Sequence, residues 1–370
     1  MGRFAVFLAV VLSVWGGMHV YVLSRLWNLP VFAAGPTRRW LVLAFVLLAL
    51  GYPLARILSR PLGRALFPLE IVASVWVGVL FLLLVWLLAA DLVTGFGFLF
   101  RTRVPAIRAL AVGVAGALSI VGLVQGLRAP AVREYQVLLD GLPRERDGLV
   151  VVQLSDLHLG PIFGARWLAA RLEQVEALKP DLVVVTGDLV DHDVSKVEPL
   201  VPVLKRLRAP LGVYAVTGNH EFYAGIERSS RLLEEAGYRV LRDAHAEAVP
   251  GLVLAGVDDP TARRQLGLED RYFEKALAGR PPGAVVLLCH SPLQIERAAE
   301  LGAGLVLSGH THDGQIWPFR YAVERAYPRI AGEYRVGAAS LIVSRGTGSW
   351  GPPIRLFRRG EILRITLRSA

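Results

Sequence analysis

Residues 149–158 read Leu-Val-Val-Val-Gln-Leu-Ser-Asp-Leu-His. A short apolar, β-branched run of this kind reads as a strand. A carboxylate and an imidazole stand directly after it. The same texture recurs down the chain, with Val/Leu runs at 181–186, 211–216, 252–257, 284–289 and 304–308. Polar, amphipathic segments at 165–178, 195–208 and 226–236 read as helices between or after the first three runs. Strand, helix, strand, helix is the pattern of an α/β sheet. In such sheets, sites form at the carboxyl ends of the strands. The stretch from about 339 to 368 reads as further strands with Gly turns.

Five motifs sit at those strand ends. Asp156 and His158 follow the first run, and residues two apart in extended chain point the same way. Gly187–Asp188 closes the second, where Gly permits a tight turn and Asp188 offers a carboxylate able to bridge two cations. In isolation that pair would read as a turn or helix cap. Gly218–Asn219–His220–Glu221 follows the third, with an amide oxygen as a neutral hard ligand and an imidazole beside it. His290 ends the run 285–289; a lone His there would read as a hydrogen-bonded structural residue. Gly309–His310–Thr311–His312–Asp313–Gly314 follows the last run and is the most specific motif.

The chain has eight histidines, and five of them (His158, His220, His290, His310, His312) fall in these motifs. Structural histidines have no reason to gather at strand ends. His19 lies in an apolar helix and His245 in a polar loop, so neither is expected to do chemistry. Asp191, beside His192, is a candidate partner for a metal-bound His. Cys289 is the only cysteine, which excludes an intrachain disulfide and reads as a small buried residue.

Taken in order, these motifs resemble those of the calcineurin-like metallophosphoesterases, over residues 149 to about 367. The start Ser155–His158 and the stretch Gly309–Gln315 look most like a bacterial membrane-associated branch. The resemblance implies a four-layer α/β/β/α sandwich and two divalent metal ions, Mn, Fe or Zn. It implies Asp156, His158 and His312 as ligands of the first metal and Asn219, His290 and His310 of the second, with Asp188 as bridge. It also implies His220 as the catalytic acid, oriented by Glu221 or a nearby carboxylate. Arg358–Arg359–Gly360–Glu361 departs from the Pro-containing turn common in relatives, far in sequence from the ligand motifs.

The first third of the chain has a different texture. Hydrophobic residues make up 54% of the 370. Four nearly uncharged apolar stretches lie at about 4–24, 40–57, 70–90 and 104–124, each near the roughly 20 residues that span a bilayer. We read residues 1–124 as four transmembrane helices, 125–148 as a charged linker and 149–370 as the phosphoesterase domain. Arg3 makes the first stretch resemble a signal peptide, but it lacks a clear small-residue cleavage site and three more spans follow. Residues 1–148 hold 14 Arg and six acidic groups, so most of the net charge of +10 flanks the apolar stretches. The rest of the chain is nearly neutral, which argues against a nucleic-acid surface.

The expected protein is therefore a multi-pass cell-membrane hydrolase. Its partners are the lipid bilayer and a phosphorylated small-molecule or lipid-linked substrate, cleaved as a phosphoester, phosphodiester or pyrophosphate. Flanking arginines count six on each side of the membrane, which leaves the side open with a lean to a cytoplasmic catalytic domain. A catalytically idle scaffold or sensor would show lost ligands, and none of the seven is missing. A transporter needs ionisable groups inside its spans, whereas Glu70 and Asp91 lie near span ends.

Overall fold

The structure, a computed structural model, describes the backbone of residues 2–370 and the side chains of all but 1–5, 7–8, 60–62 and 64. Arg3, Arg60 and Arg64, three of the flanking arginines counted above, lie outside the described side chains. The chain forms two compact units: Met1–Leu127 with Gly351–Leu356, and Arg128–Trp350 with Phe357–Ala370.

The first unit contains helices α1 (Gly2–Trp27), α2 (Gly35–Leu62), α3 (Phe67–Val93) and α4 (Val104–Leu127). Each is long and apolar enough to cross a membrane, over Ala9–Trp27, Gly35–Ser59, Phe67–Val93 and Val104–Leu127. Pro36 and Pro68 stand in the first turns of α2 and α3, where a missing N–H costs nothing. The third span stops at Val93, and a short 3₁₀ turn over Gly95–Gly97 follows it. Asp91 is fully buried near the end of α3. Its carboxylate accepts from Arg108 Nε at 2.9 Å and Nη2 at 2.7 Å, from Arg25 Nε at 2.5 Å and from Tyr21 Oη at 2.8 Å. That pairing makes a buried charge tolerable in an apolar helix. His19 is also satisfied: its Nδ1 donates to Trp15 O at 2.8 Å and its Nε2 accepts from Trp76 Nε1 at 2.9 Å.

The second unit holds twelve strands: β1 (Ala131–Leu139), β2 (Val150–Leu154), β3 (Leu182–Thr186), β4 (Val213–Val216), β5 (Arg239–Val240), β6 (Ala244–Val249), β7 (Leu252–Gly256), β8 (Ala284–Leu288), β9 (Leu305–Ser308), β10 (Gly332–Val336), β11 (Ala339–Val343) and β12 (Glu361–Ser369). They build two six-stranded sheets, ordered β1-β12-β2-β3-β4-β5 and β10-β11-β9-β8-β7-β6. The helices are α5 (Ala165–Ala177), α6 (Val194–Val197), α7 (Val201–Leu204), α8 (Asn219–Glu235), α9 (Pro260–Leu266), α10 (Tyr272–Leu277), α11 (Ile295–Glu300) and α12 (Arg320–Ala326). The helix read at 195–208 is broken into short pieces, with Pro199 and Pro202 standing at the starts of the second and third.

Three apolar layers explain why the strands read as unbroken Val/Leu runs. Along β2, Val150, Val152 and Leu154 face a core shared with Leu168 and Leu172 of α5 and Leu232 of α8. Val151 and Leu149 face the other way, against Leu254, Val286, Leu305 and Ile342 of the second sheet. On that sheet's outer face, Val253, Val285 and Val306 pack with Phe273 of α10 and Ala298 of α11. Helix, sheet, sheet, helix is the four-layer sandwich expected. Strand β1 falls inside the 125–148 stretch that polarity marks as linker; it runs parallel to β12 from Ala131↔Glu361 to Leu139↔Ser369.

Candidate metal centre

All seven expected ligands lie at or just beyond the carboxyl ends of β2, β3, β4, β8 and β9. Three clusters form there among the described residues, two of them made of the expected ligands and a third of His158, Asp191 and His220. Asp156, His158 and His312 offer ligand atoms within 4.8 Å of one another, and so do Asp188, His290 and His310. Within the first, His158 Nε2 is 3.1 Å from His312 Nε2, and His312 Nε2 is 3.3 Å from Asp156 Oδ1. Within the second, His290 Nε2 is 3.2 Å from Asp188 Oδ2 and 3.3 Å from His310 Nδ1. Asp188 Oδ2 is also 3.8 Å from His158 Nε2, so this one oxygen faces both clusters. Asn219 Oδ1 is buried and has no hydrogen-bond partner among the described residues.

The far ring nitrogens of His158, His290 and His310 face oxygen atoms. His290 Nδ1 donates to Thr186 O at 2.7 Å, which leaves Nε2 for the centre. Asp191 Oδ1 lies 3.4 Å from His158 Nδ1, again leaving Nε2. His310 is turned over, with Nε2 2.8 Å from the Tyr327 hydroxyl and Nδ1 inward. Oxygen partners of this kind fix the ligating nitrogen of a metal-bound His. Converging imidazole nitrogens, carboxylate oxygens and an unpartnered amide oxygen fit borderline divalent cations such as Mn²⁺, Fe or Zn²⁺.

The local backbone differs from the period-two geometry the sequence suggests. Asp156 (φ 53°), His158 (φ 45°), Asp188 (φ 52°), His310 (φ 71°) and His312 (φ 51°) all occupy the left-handed region. Their side chains are therefore aimed by tight turns after the strands, not by strand alternation. As a result His310 and His312, two apart, serve different clusters. Non-glycine residues with positive φ cost free energy and gather at functional sites. Gly309 makes the close approach possible, since a Cβ there would lie 2.0 Å from Ser155 Oγ and 2.3 Å from Asp156 Oδ2.

Residues 149–314 match the profile of the family described as "Calcineurin-like phosphoesterase". A "Transmembrane protein with metallophosphoesterase domain" of Bos taurus is 39% identical over 293 residues, 74% of this chain. This chain spans 65%, under two thirds, of that relative's length. An "Uncharacterized metallophosphoesterase" of Aquifex aeolicus is 35% identical over 249 residues, covering 64% of this chain and 91% of the relative. Among solved structures, a dimetal phosphatase from Danio rerio aligns at 15% identity and TM-score 0.38, over 60% of this chain and 99% of that one.

The chain belongs to the calcineurin-like phosphoesterase family.

This calcineurin-like phosphoesterase has four helices long and apolar enough to cross a membrane and residues suited to a divalent metal pair. Beside the two clusters of expected ligands stands His220, whose Nδ1 donates to the Asp191 carbonyl. Burial pulls this imidazole down to about 4, against the pull of Asp188, so the ring is neutral. Burial pushes the Asp191 carboxyl up, but His192 at 2.8 Å and His158 outweigh it and hold it well below its ordinary range. Asp191 thus sits among His158, His192 and His220 and aligns the last through its backbone oxygen. Toward His158, an expected metal ligand, Asp191 presents its carboxylate instead, with Oδ1 3.4 Å from Nδ1.

Glu221 does a different job from the one expected. Its carboxylate accepts from the backbone N–H groups of Asp188 at 2.8 Å, Val190 at 2.9 Å and Gly218 at 2.7 Å. It staples the β3 and β4 loops together and leaves the His220 side chain to Asp191. Glu221 is fully buried, which pushes its carboxyl up to about 7, with Asp188 adding to the rise. Glu221→Ala would orphan three backbone donors, each costing about 1–3 kcal/mol when buried. We expect a loss of at least about 3 kcal/mol of stability on that basis, read as a lower midpoint in chemical denaturation of the metal-free full chain. An unchanged midpoint would mean the loops do not depend on this staple.

Tyr327 and Gln315 were not anticipated. Tyr327 reaches His310 from the segment after α12, and no spacing in the sequence signals it. Gln315 adjoins a recognised motif, but its bonds to Trp350, 35 residues on, arise only from tertiary folding. His245, expected in a loop, lies in β6 with Nδ1 donating to Ala276 O at 2.8 Å, and takes no part in the centre.

Proposed function

We propose that this chain is a membrane-anchored hydrolase of phosphoesters, phosphodiesters or pyrophosphates that uses a pair of Mn, Fe or Zn ions, and that its substrate is lipid-linked. Asp188 Oδ2 carries the reading, because it lies within 3.8 Å of imidazole nitrogens from both clusters and so suits a shared ligand. In this assignment Asp156, His158 and His312 hold one metal, Asn219, His290 and His310 hold the other, and Asp188 serves both. When bound, the metals would activate water for attack on phosphorus and offset charge on the phosphoryl oxygens.

The remaining work falls to the chain's own groups. His220 keeps a proton on Nδ1 through Asp191 O, so Nε2 is the atom that takes up and delivers a second proton. A negatively charged phosphoryl group nearby raises the affinity of that ring for the proton. Delivered to the leaving oxygen, it makes His220 the general acid. A lipid-linked substrate accords with the four candidate spans, and in this reading the catalytic domain faces the cytoplasm; a reporter fused after Ala370 reads that side. The function itself is tested on the purified full chain with Mn²⁺ and a chromogenic phosphodiester. Metal-dependent turnover supports it; no turnover with any of Mn²⁺, Fe²⁺ or Zn²⁺, beside a working control phosphodiesterase, would favour the idle scaffold.

A further inference from the structure

One exposed ring beside the centre is held more firmly than an idle surface residue needs to be. Trp350 is 49% exposed, and its ring centroid lies 6.2 Å from that of His220 at an interplanar angle of 80°. Its backbone is pinned on both sides by one carboxamide: Gln315 Nε2 donates to Trp350 O, and Trp350 N donates to Gln315 Oε1, each at 2.9 Å. Gln315 follows the loop that carries His310 and His312. Upstream, Thr347 N donates to Ser155 O at 2.7 Å and Gly348 N to Asp156 O at 3.0 Å. A Cβ on Gly348 would lie 2.3 Å from Leu157 O, so this segment lies directly against the first metal-ligand motif. A second ring, Tyr223, is 56% exposed and 5.6 Å from His220, with its hydroxyl donating to Gln265 Oε1 at 2.6 Å.

Scattered exposed aromatics need no explanation. Two exposed rings against the same imidazole, one of them on a backbone tied to both metal-ligand loops, do. We propose that Trp350, with Tyr223, is a specificity-determining contact for the leaving group, and that the leaving group carries an apolar surface, either an aromatic ring or an acyl or alkyl chain. The step depends on the reading of His220 as the acid: a group protonated by His220 must lie beside it, and there it meets these two rings. An indole face gains from covering either surface, and its N–H can stay in water.

The test measures binding, so it does not depend on which phosphoester is the natural one. Methyl-, phenyl- and octylphosphonate are titrated by calorimetry into the Mn²⁺-loaded full chain, with metal content checked for each variant. The wild type should bind phenyl- or octylphosphonate about tenfold more tightly than methylphosphonate, as expected for one well-covered aromatic contact. Trp350→Ala should shrink that preference to about twofold or less, and Trp350→Phe should keep most of it. A preference for phenyl over octyl identifies a planar leaving group, and the reverse a lipid chain. Equal binding of all three phosphonates by the wild type, or a preference unchanged in Trp350→Ala, overturns this contact alone. Failure of every phosphonate to bind overturns the phosphoesterase reading together with it.

Discussion

Asp188→Asn should leave the protein folded and strip it of both metal binding and turnover, with activity falling on the order of 10³-fold or more, since a metal pair supplies several kcal/mol of charge stabilisation. The substitution is chosen for what it keeps. Asp188 Oδ1 accepts from His220 N at 2.9 Å, and an amide oxygen can still do so. Oδ2, which faces His158 and His290, is replaced by a donor without charge. In the wild type, burial opposes the charge on this carboxylate, but His290, by charge and by hydrogen bond, outweighs it and holds the carboxyl well below the ordinary range. The Asn variant has no anion to present to either cluster. Metal analysis and phosphodiester turnover on one preparation read both effects. Full metal content with wild-type turnover would remove Asp188 from the role of shared ligand.

His220→Ala should separate chemistry from metal binding. Loss of a general acid costs about 10²–10⁴-fold in turnover, while metal content should stay at the wild-type level because His220 belongs to neither ligand cluster in this assignment. The loss should also depend on the leaving group. A p-nitrophenolate leaves without help, so its hydrolysis should suffer least, and an ester of an alkyl alcohol most. Equal losses on both substrates would indicate that His220 shapes the site without passing a proton. Parallel collapse of metal content would make it a ligand or a support for one.

The sequence made the centre of the sandwich legible because the central strands are apolar on both faces. Val150 to Leu154 are all buried, and the run reads as a strand whichever face is considered. The edges were not legible for the same reason in reverse. β1 is an edge strand paired only with β12, and its successive Val132, Arg133 and Glu134 are exposed, so its polarity reads as linker. α8 begins at Asn219, seven residues before the amphipathic pattern at 226, because its first turn is spent on site residues and a kink at Gly225 (φ 106°). Among the ligands, residue type and order carried the reading, while the argument from strand alternation failed. Asp156, His158, His310 and His312 sit in left-handed turns that no alternating pattern encodes. Partners that arrive through tertiary folding, such as Tyr327 on His310 or Gln315 on Trp350, leave no mark in local spacing.

The most direct test of the account is a titration of the metal-stripped full chain with Mn²⁺, Fe²⁺ or Zn²⁺, following phosphodiester turnover against equivalents bound. The account predicts negligible activity without metal and a plateau at two equivalents per chain, abolished in Asp188→Asn. A plateau at one equivalent, or turnover that survives complete removal of metal, would contradict it.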